Sequence, residues 1–397
     1  SLGRVQTPVL AAISRRYRER ENHISSDSWP IYISLQKDGI LFKMRRTQDL
    51  PDKESATMFF QDCKLAHQAQ ITGISHSVKE ILPPDLLDLT QLQKEANIRY
   101  GFTASEVYDI AQSLYEKKLI SYPRTSCRYL TEDVFDSLPP IMARLLSWEL
   151  FPAAKGTGSF DISNLSRHVI NAEKANVHHA IIITGIRPGN MSEKEMQVYR
   201  LVAGRILEAF MAPCRIETTN VEAVCAAQHF KAEQTRIIEA GWHDVFMRSD
   251  MIPTSGYSVK ELPEVEKGDT LNVCGCNLVH KKQLPVNPFT DAELVEYMEQ
   301  NGLGTVSSRT NIIRTLVNRK YIRYSGKYIV PTPKGMFTYE TIRGKKIADT
   351  SLTADWEKQL AGLESGMITG QDFLNRIRTL AKEMTDDIFN TYSTKEE

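Results

Sequence analysis

Two stretches of β-type sequence enclose a long helical one, and this arrangement limits the architectures open to the chain. From Trp29 to about Ser75, short runs (Ile31-Tyr32-Ile33-Ser34-Leu35, Leu41-Phe42-Lys43-Met44, Ile71-Thr72-Gly73-Ile74) are separated by polar or glycine-bearing turns, as expected of strands. The texture returns from Ile216 to Val224 and from Phe230 to Ile238, and continues to about Cys276. The simplest arrangement is one β domain interrupted by an α domain.

Helix signals fill the rest. Thr7-Pro8 reads as an N-cap with proline at the first helical position, opening a basic helix with Arg15, Arg16, Arg18 and Arg20. After Pro83-Pro84, capping boxes are expected at Thr90/Gln93 and Thr103/Glu106, with Val107, Ile110, Ala111 and Leu114 on one face behind the second. Ser192/Glu195 and Thr290/Glu293 predict two further helix starts. Near the end, a helix stopping at Asn301-Gly302 and a second following Ser307-Ser308 precede two strand-like runs joined at Ser325-Gly326. Helix, turn, helix, hairpin is the order of a winged-helix unit, whose second helix commonly meets DNA. Two amphipathic helices close the chain, the last with Phe373, Ile377, Leu380, Met384 and Ile388 facing inward. The expected fold class is α+β and multidomain. Residues 1–28 and 283–397 form a helical base, 29–85 and 191–282 a β-rich gate domain, and 86–190 a helical domain.

Composition excludes some classes. At 397 residues, with 41% hydrophobic and 25% charged residues, the chain has the profile of a globular protein. No apolar run approaches the ~18–20 residues that span a bilayer, so no membrane partner is expected. Lys plus Arg equals Asp plus Glu at 49 each, so bulk charge gives no support to nucleic-acid binding, although a local basic patch would. Six cysteines occur, of which only Cys274 and Cys276 are close. No second pair at zinc spacing accompanies them, and no metal ligands are assigned.

Three segments carry possible chemistry. In Ser121-Tyr122-Pro123-Arg124-Thr125, an extended backbone projects Tyr122 and Arg124 to the same side. A phenolic oxygen would then reach phosphorus while a guanidinium fork holds the phosphate oxygens; a buried Tyr beside a surface Arg fits the same string. His178-His179 before an apolar run suits a core histidine or a phosphate donor. Gly302-Leu303-Gly304-Thr305 through Ser308-Arg309-Thr310-Asn311 either offers backbone N–H groups to a phosphate or is a capped turn between helices. It is not a dinucleotide or P-loop signature, because the strand, the remaining glycines and the lysine are missing.

Taken in order, these blocks resemble the type IA DNA topoisomerases, from end to end and nearest the topoisomerase III branch. Gly3-Arg4-Val5-Gln6-Thr7-Pro8 looks like that family's GRVQTP block, and Leu89 to Ala96 resembles its L-x-x-L-Q-x-x-A helix. Ala111 to Arg124 resembles the segment bearing the nucleophilic tyrosine, and His178 to Thr184 its HHAII-P-T block. Gly302 to Ile313 resembles GIGTPATRA-x-II, and Thr353-Ala354-Asp355-Trp356-Glu357 its TA-x-WE motif. The resemblance implies a toroid with a β-rich arch, in which Tyr122 cleaves one DNA strand, leaving a 5′-phosphotyrosine and a free 3′-hydroxyl. Arg124 would stabilise phosphoryl charge and His178 would contact the scissile phosphate. Arg4, Gln6, Thr7, Ser308, Arg309 and Asn311 would bind single-stranded DNA. Resealing would need no ATP, and the protein would act as a monomer in the cytoplasm, at the bacterial nucleoid.

Some positions depart from the family pattern. Ser126 stands where an aspartate is usual, Ile183 replaces a proline, and Val306-Ser307 replace Pro-Ala. The family's Toprim domain, which carries a catalytic glutamate and Mg²⁺-binding carboxylates, precedes GRVQTP. The expectation is therefore a truncated chain that holds the nucleophile without its acid and metal partners. A non-enzymatic winged-helix DNA-binding protein is the alternative, but it leaves the Tyr122 and His178 blocks unexplained. A tyrosine recombinase is disfavoured because its tyrosine follows its dispersed Arg and His residues.

Overall fold

The computed structural model describes residues 3–148, 150–151, 165–175, 177–247, 252–364 and 367–393. Helix α1 (Gln6–Glu21) opens the chain. It begins two residues before the expected start. Thr7 therefore sits inside the first turn, where its hydroxyl accepts from the Gly3 N–H at 2.9 Å.

A β body follows. Strand β1 (Asp27–Ser28) precedes β2 (Ile31–Lys37), β3 (Ile40–Arg46), helix α2 (Lys53–Leu65) and β4 (Gln68–Ile81). After the helical insert come β5 (Cys214–Cys225), β6 (Gln228–Glu239), β7 (Thr270–Leu278) and β8 (Lys281–Lys282), which pairs with β1. The six long strands close into a barrel in the order β2-β3-β6-β5-β4-β7. Closure leaves no sheet edge for other chains to extend. Alternate residues Ile31, Ile33 and Leu35 point into a core with Phe42, Met44, Ile71, Val221 and Phe230, as the two-residue period requires.

The β4–β5 ribbon is the link to the helices. It pairs from Gln70↔Val224 out to Ile81↔Cys214. Its near end lies in the barrel core, and Cys214 and Ile216 at its far end lie in the helical core. A 14-residue strand reaches about 45 Å at ~3.3 Å per residue.

The insert contains α3 (Leu89–Tyr100), α4 (Ala104–Glu116), α5 (Glu132–Asp136), α6 (Leu138–Ser147) and α7 (Glu193–Phe210). The expected division placed α7 with the second β-rich part. Instead Val198, Tyr199, Val202, Ile206 and Phe210 pack with Leu92, Leu114 and Met142 in the helical core. The boxes at Thr103/Glu106 and Ser192/Glu195 form as expected. The Thr90/Gln93 box does not. Asp88 caps α3 by accepting from the Gln91 N–H at 2.7 Å, which frees Thr90 and Gln93 to bond across to the last third of the chain.

That last third contains β9 (Phe289–Thr290), α8 (Asp291–Gln300), α9 (Val306–Asn318), β10 (Ile322–Ser325), β11 (Tyr328–Pro331), α10 (Pro333–Ile342), α11 (Thr350–Glu364) and α12 (Gly370–Ser393). The winged-helix order is present, and β9 adds a third strand beside β11. Phe373, Ile377, Leu380 and Met384 of α12 are half-buried, and the Ile388 side chain lies outside the described residues.

The contact between the insert and this unit joins apolar packing of Ala104 and Val306 to a set of polar links. Gln93 donates to the Ala104 carbonyl and the Thr310 hydroxyl, both at 2.9 Å. Lys94 pairs with Glu296 at 2.6 Å, and Arg314 with Asp109 at 2.8 Å. Asp291, 2% exposed, accepts from the Ala104 N–H at 3.2 Å and the Tyr324 hydroxyl at 3.1 Å. Burial pushes its carboxyl up to about 6. A folded-state value above the unfolded one means that stability is greatest below the ordinary carboxylate range and declines as pH rises through about 6. Asp291→Asn keeps an acceptor oxygen and should lose this dependence, gaining on the order of 1–3 kcal/mol over the parent at pH 7.5 but little at pH 4. Thermal melts of both proteins at the two pH values measure the difference, and parallel shifts would exclude the role.

Candidate active site

The Tyr122 segment is held between buried anchors. Leu119 and Ile120 enter the helical core, as do Ile181, Ile182 and Ile183. The two strings are laced together: Ser121 N–H donates to the Ile182 carbonyl (2.8 Å), Ile182 N–H to the Ser121 hydroxyl (2.9 Å), and Thr184 N–H to the Leu119 carbonyl (3.1 Å). The Thr125 hydroxyl then donates to the His178 carbonyl at 3.3 Å. This lacing brings together residues more than fifty positions apart in sequence.

On the outside of this seam lies the Tyr122 ring, half-exposed. It packs against the exposed His178 imidazole with centroids 4.6 Å apart and edge-on to Tyr115 at 5.4 Å. Arg124 donates from Nη2 to Gln112 Oε1 at 3.2 Å, and its guanidinium lies 5.0 Å from the Tyr108 ring centre. Tyr108, Gln112 and Tyr115 fall at i, i+4 and i+7, one face of α4. Sequence reasoning missed this supporting face, although its helical spacing was readable. The Arg124 Nε is buried with no hydrogen-bond partner among the described residues. A buried donor left without an acceptor is costly, and a phosphate oxygen is the kind of group that would satisfy it.

A second group of expected residues forms a cleft of about 440 Å³ where the start of α1 meets the start of α9, lined by Arg4, Gln6, Thr305, Ser308 and Arg319. Arg319, not anticipated from sequence, donates to Gln6 Oε1 at 3.2 Å. Gly304 (φ +79°) allows the close turn, since a Cβ there would meet Ser308 Oγ and Ile312 Cδ1 at 2.9 Å. The Thr353 hydroxyl donates to the Arg4 carbonyl at 2.6 Å, and the Arg4 guanidinium lies 5.9 Å from the Trp356 ring centre, so the late Thr-x-x-Trp string braces the cleft. Three expected contacts lie elsewhere. Thr7 is buried and Asn311 is exposed on α9 outside the cleft lining.

Arg309 is the third. It is 7% exposed and turned inward, donating to the Thr90 hydroxyl at 3.0 Å and Glu299 at 3.2 Å. Its neighbour Arg128 pairs with Asp88 at 2.6 Å. Burial raises the Asp88 carboxyl despite that pairing. In this place Arg309 joins α9 to α3. Arg309→Ala should therefore cost about 1–2 kcal/mol of stability by removing both bonds, with Thr90 still donating to Glu299 at 3.2 Å. A purely DNA-facing side chain would leave the denaturation midpoint unchanged.

The residues around Tyr122 do not fit a magnesium ion. Arg124, His178 and Gln112 are not the carboxylate oxygens Mg²⁺ prefers, and the Glu116 carboxylate already accepts from Gln112 at 2.8 Å. Among the described residues, no three His, Cys, Asp or Glu side chains come together as a metal site.

Comparison with known proteins agrees with this architecture. Residues 1–375 match the DNA topoisomerase family. The chain is 30% identical to DNA topoisomerase 3 of Bacillus licheniformis over 413 residues, covering 98% of this chain and 56% of that protein. It is also 30% identical to DNA topoisomerase 1 of Methanocaldococcus jannaschii, over all of this chain and 50% of that protein. The full-length topoisomerase I structure from Thermotoga maritima superposes with a TM-score of 0.74 at 22% identity, covering 96% of this chain and 62% of that one. The chain belongs to the type IA DNA topoisomerase family. Its curated relatives include a series of bacterial topoisomerase 3 proteins, and it spans about half their length.

Proposed function

We propose that this chain carries the strand-cleaving tyrosine and part of the strand-binding surface of a topoisomerase III-like enzyme acting on single-stranded DNA. The Tyr122 phenolic oxygen attacks a backbone phosphorus. An O–P bond to tyrosine forms, the P–O3′ bond breaks, the phenolic proton departs, and the 3′ oxygen leaves as a hydroxyl after taking up a proton. Attack by that 3′-hydroxyl on the phosphotyrosine reverses the step. One phosphoester replaces another, so no ATP is consumed.

Arg124 supplies the cation for the non-bridging phosphate oxygens, and His178 a donor beside the same ring. Arg4, Gln6, Ser308 and Arg319 hold the strand in the cleft between α1 and α9. The observation that carries this reading is Arg124: braced by Gln112 and Tyr108, next to Tyr122, with one buried N–H unused. The family's metal, Mg²⁺, supplies Lewis-acid chemistry when bound, but these residues do not fit it. We assign it, together with the general acid, to a Toprim domain.

By itself the chain should bind single-stranded DNA without cleaving it. Fusion to the Toprim domain of a topoisomerase 3, with oligonucleotide and Mg²⁺, should give a denaturation-resistant protein–DNA adduct. Arg124→Gln should lower adduct formation by about 10²-fold, the scale of losing one preorganised charge donor. Absence of any adduct would leave a winged-helix DNA-binding module as the better description.

A further inference from the structure

Three cysteines from segments far apart in sequence meet inside the β body, and the cleavage reading uses none of them. Helix α2 packs against β2 and β7. Its inward face is formed by Ala56, Phe59, Phe60 and Cys63, at helical spacing. On β5, Val221, Ala223 and Cys225 alternate into the same core. On β7, Cys276 stands opposite the core residue Ile33, and side chains paired across strands share a face. The Cys276 Sγ lies 3.9 Å from the Phe60 carbonyl oxygen, which places it on the turn of α2 that carries Cys63.

The thiols form a chain of hydrogen bonds. Cys225 donates to Cys63, and Cys63 donates to Cys276. Accepting from Cys225 lowers the Cys63 thiol, but donating to Cys276 and burial outweigh this and push it up to about 12. The bond from Cys63 lowers the Cys276 thiol, and the Lys64 cation acts in the same direction. Cys276 is half-buried, whereas Cys63 and Cys225 are 0% and 1% exposed. The sulfur that gives up its proton most readily is therefore the one a reagent can reach, with a second thiol already against it.

We propose that Cys276 and Cys63 form a reversible disulfide that fastens α2 to β7 when the protein meets a small disulfide oxidant. The Cys276 thiolate attacks one sulfur of the oxidant. A mixed disulfide forms, and the other half of the oxidant leaves as a thiolate. Cys63 then gives up its proton and attacks the Cys276 sulfur, and the second half leaves. Two cysteine thiols are oxidised by two electrons, the oxidant is reduced to two thiols, and the cysteine protons end on them. The cross-link closes a long loop and so restricts the unfolded chain. Oxidation therefore stabilises the β body.

The test exposes the whole chain to oxidised glutathione, blocks the remaining thiols with N-ethylmaleimide and maps the unreduced tryptic peptides. Cys274 is exposed, so glutathione on it shows that the oxidant acted. Cys274 and Cys276 share one tryptic peptide, and the map is therefore repeated on Cys274→Ser. A Cys63–Cys276 link should be the main product in both proteins and should revert with dithiothreitol. It should raise the melting temperature by several degrees. Cys63→Ser should trap glutathione on Cys276, whereas Cys276→Ser should leave Cys63 unmodified, and Cys225→Ser should still form the link. Because the parent map decides the question by itself, a variant that fails to fold does not weaken the test.

Modified Cys274 without a Cys63–Cys276 link would overturn the proposal. So would a main product that joins Cys225 to Cys63 or Cys274 to Cys276. Tyr122 takes no part, so that failure is separable from failure of the cleavage reading.

Discussion

Replacing Tyr122 by phenylalanine in the Toprim-supplemented protein is expected to abolish the covalent DNA adduct, a fall of at least about 10³-fold, while single-stranded DNA affinity changes less than about two-fold. The asymmetry follows from the site. The substitution removes one oxygen, the only atom that bonds to phosphorus, and no other nucleophile inherits its position. The ring contacts to His178 and Tyr115, at 4.6 and 5.4 Å, need only the aromatic face and persist. The surrounding seam is built from backbone and Ser121 hydrogen bonds, so the local fold should not move. Adduct yield on denaturing gels and anisotropy with a labelled oligonucleotide read the two quantities. An adduct at parental level would remove Tyr122 from the mechanism, and loss of both together would make its role structural.

Arg205→Leu should produce the largest loss of stability, about 3–5 kcal/mol. Arg205 is 6% exposed on α7, and its guanidinium is fully committed. Nε donates to Glu208 at 2.9 Å, Nη1 to the Asp85 carbonyl at 3.0 Å, and Nη2 to Glu95 at 2.8 Å. Glu208 has no exposed surface. Removing Arg205 takes a cation from a carboxylate with no exposed surface, whose charged form is then costlier to bury. Changing both residues, Arg205→Met with Glu208→Met, removes the buried carboxylate as well and should recover most of the loss. Denaturation midpoints of the parent, the single and the double variant measure this. A double variant as unstable as the single one would show that packing rather than charge dominates.

The motifs expose some of this chain more fully than others. Glu106, Glu195 and Glu293 close their capping boxes as the spacing dictates, because a cap is decided within four residues. At Glu195 the bond from Lys117, joined by those from Ser192 and Ser113, holds the carboxyl down to about 2. Only the box was readable; Ser113 and Lys117 come from the C-terminal end of α4 and the residue that follows it. Thr90 shows the opposite outcome. Local pattern made it a cap, but Asp88 takes that place and Thr90 receives Arg309 from α9.

By itself, the sequence determined the family, the alternation of β and helical segments, and the strings that carry Tyr122, His178 and the α9 turn. These rest on local spacing and on ordered blocks, which a linear chain displays in full. Only the tertiary structure decided that six strands close into a barrel, that α7 joins the helical core, and that His178 lies against Tyr122. It also turned Arg309 inward to Glu299, while Arg4, Gln6 and Ser308 share a cleft with Arg319. The physical reason is common to all of them. Local spacing fixes which face of an element a side chain occupies, whereas the partner that satisfies its charge or covers its apolar surface comes from a distant segment.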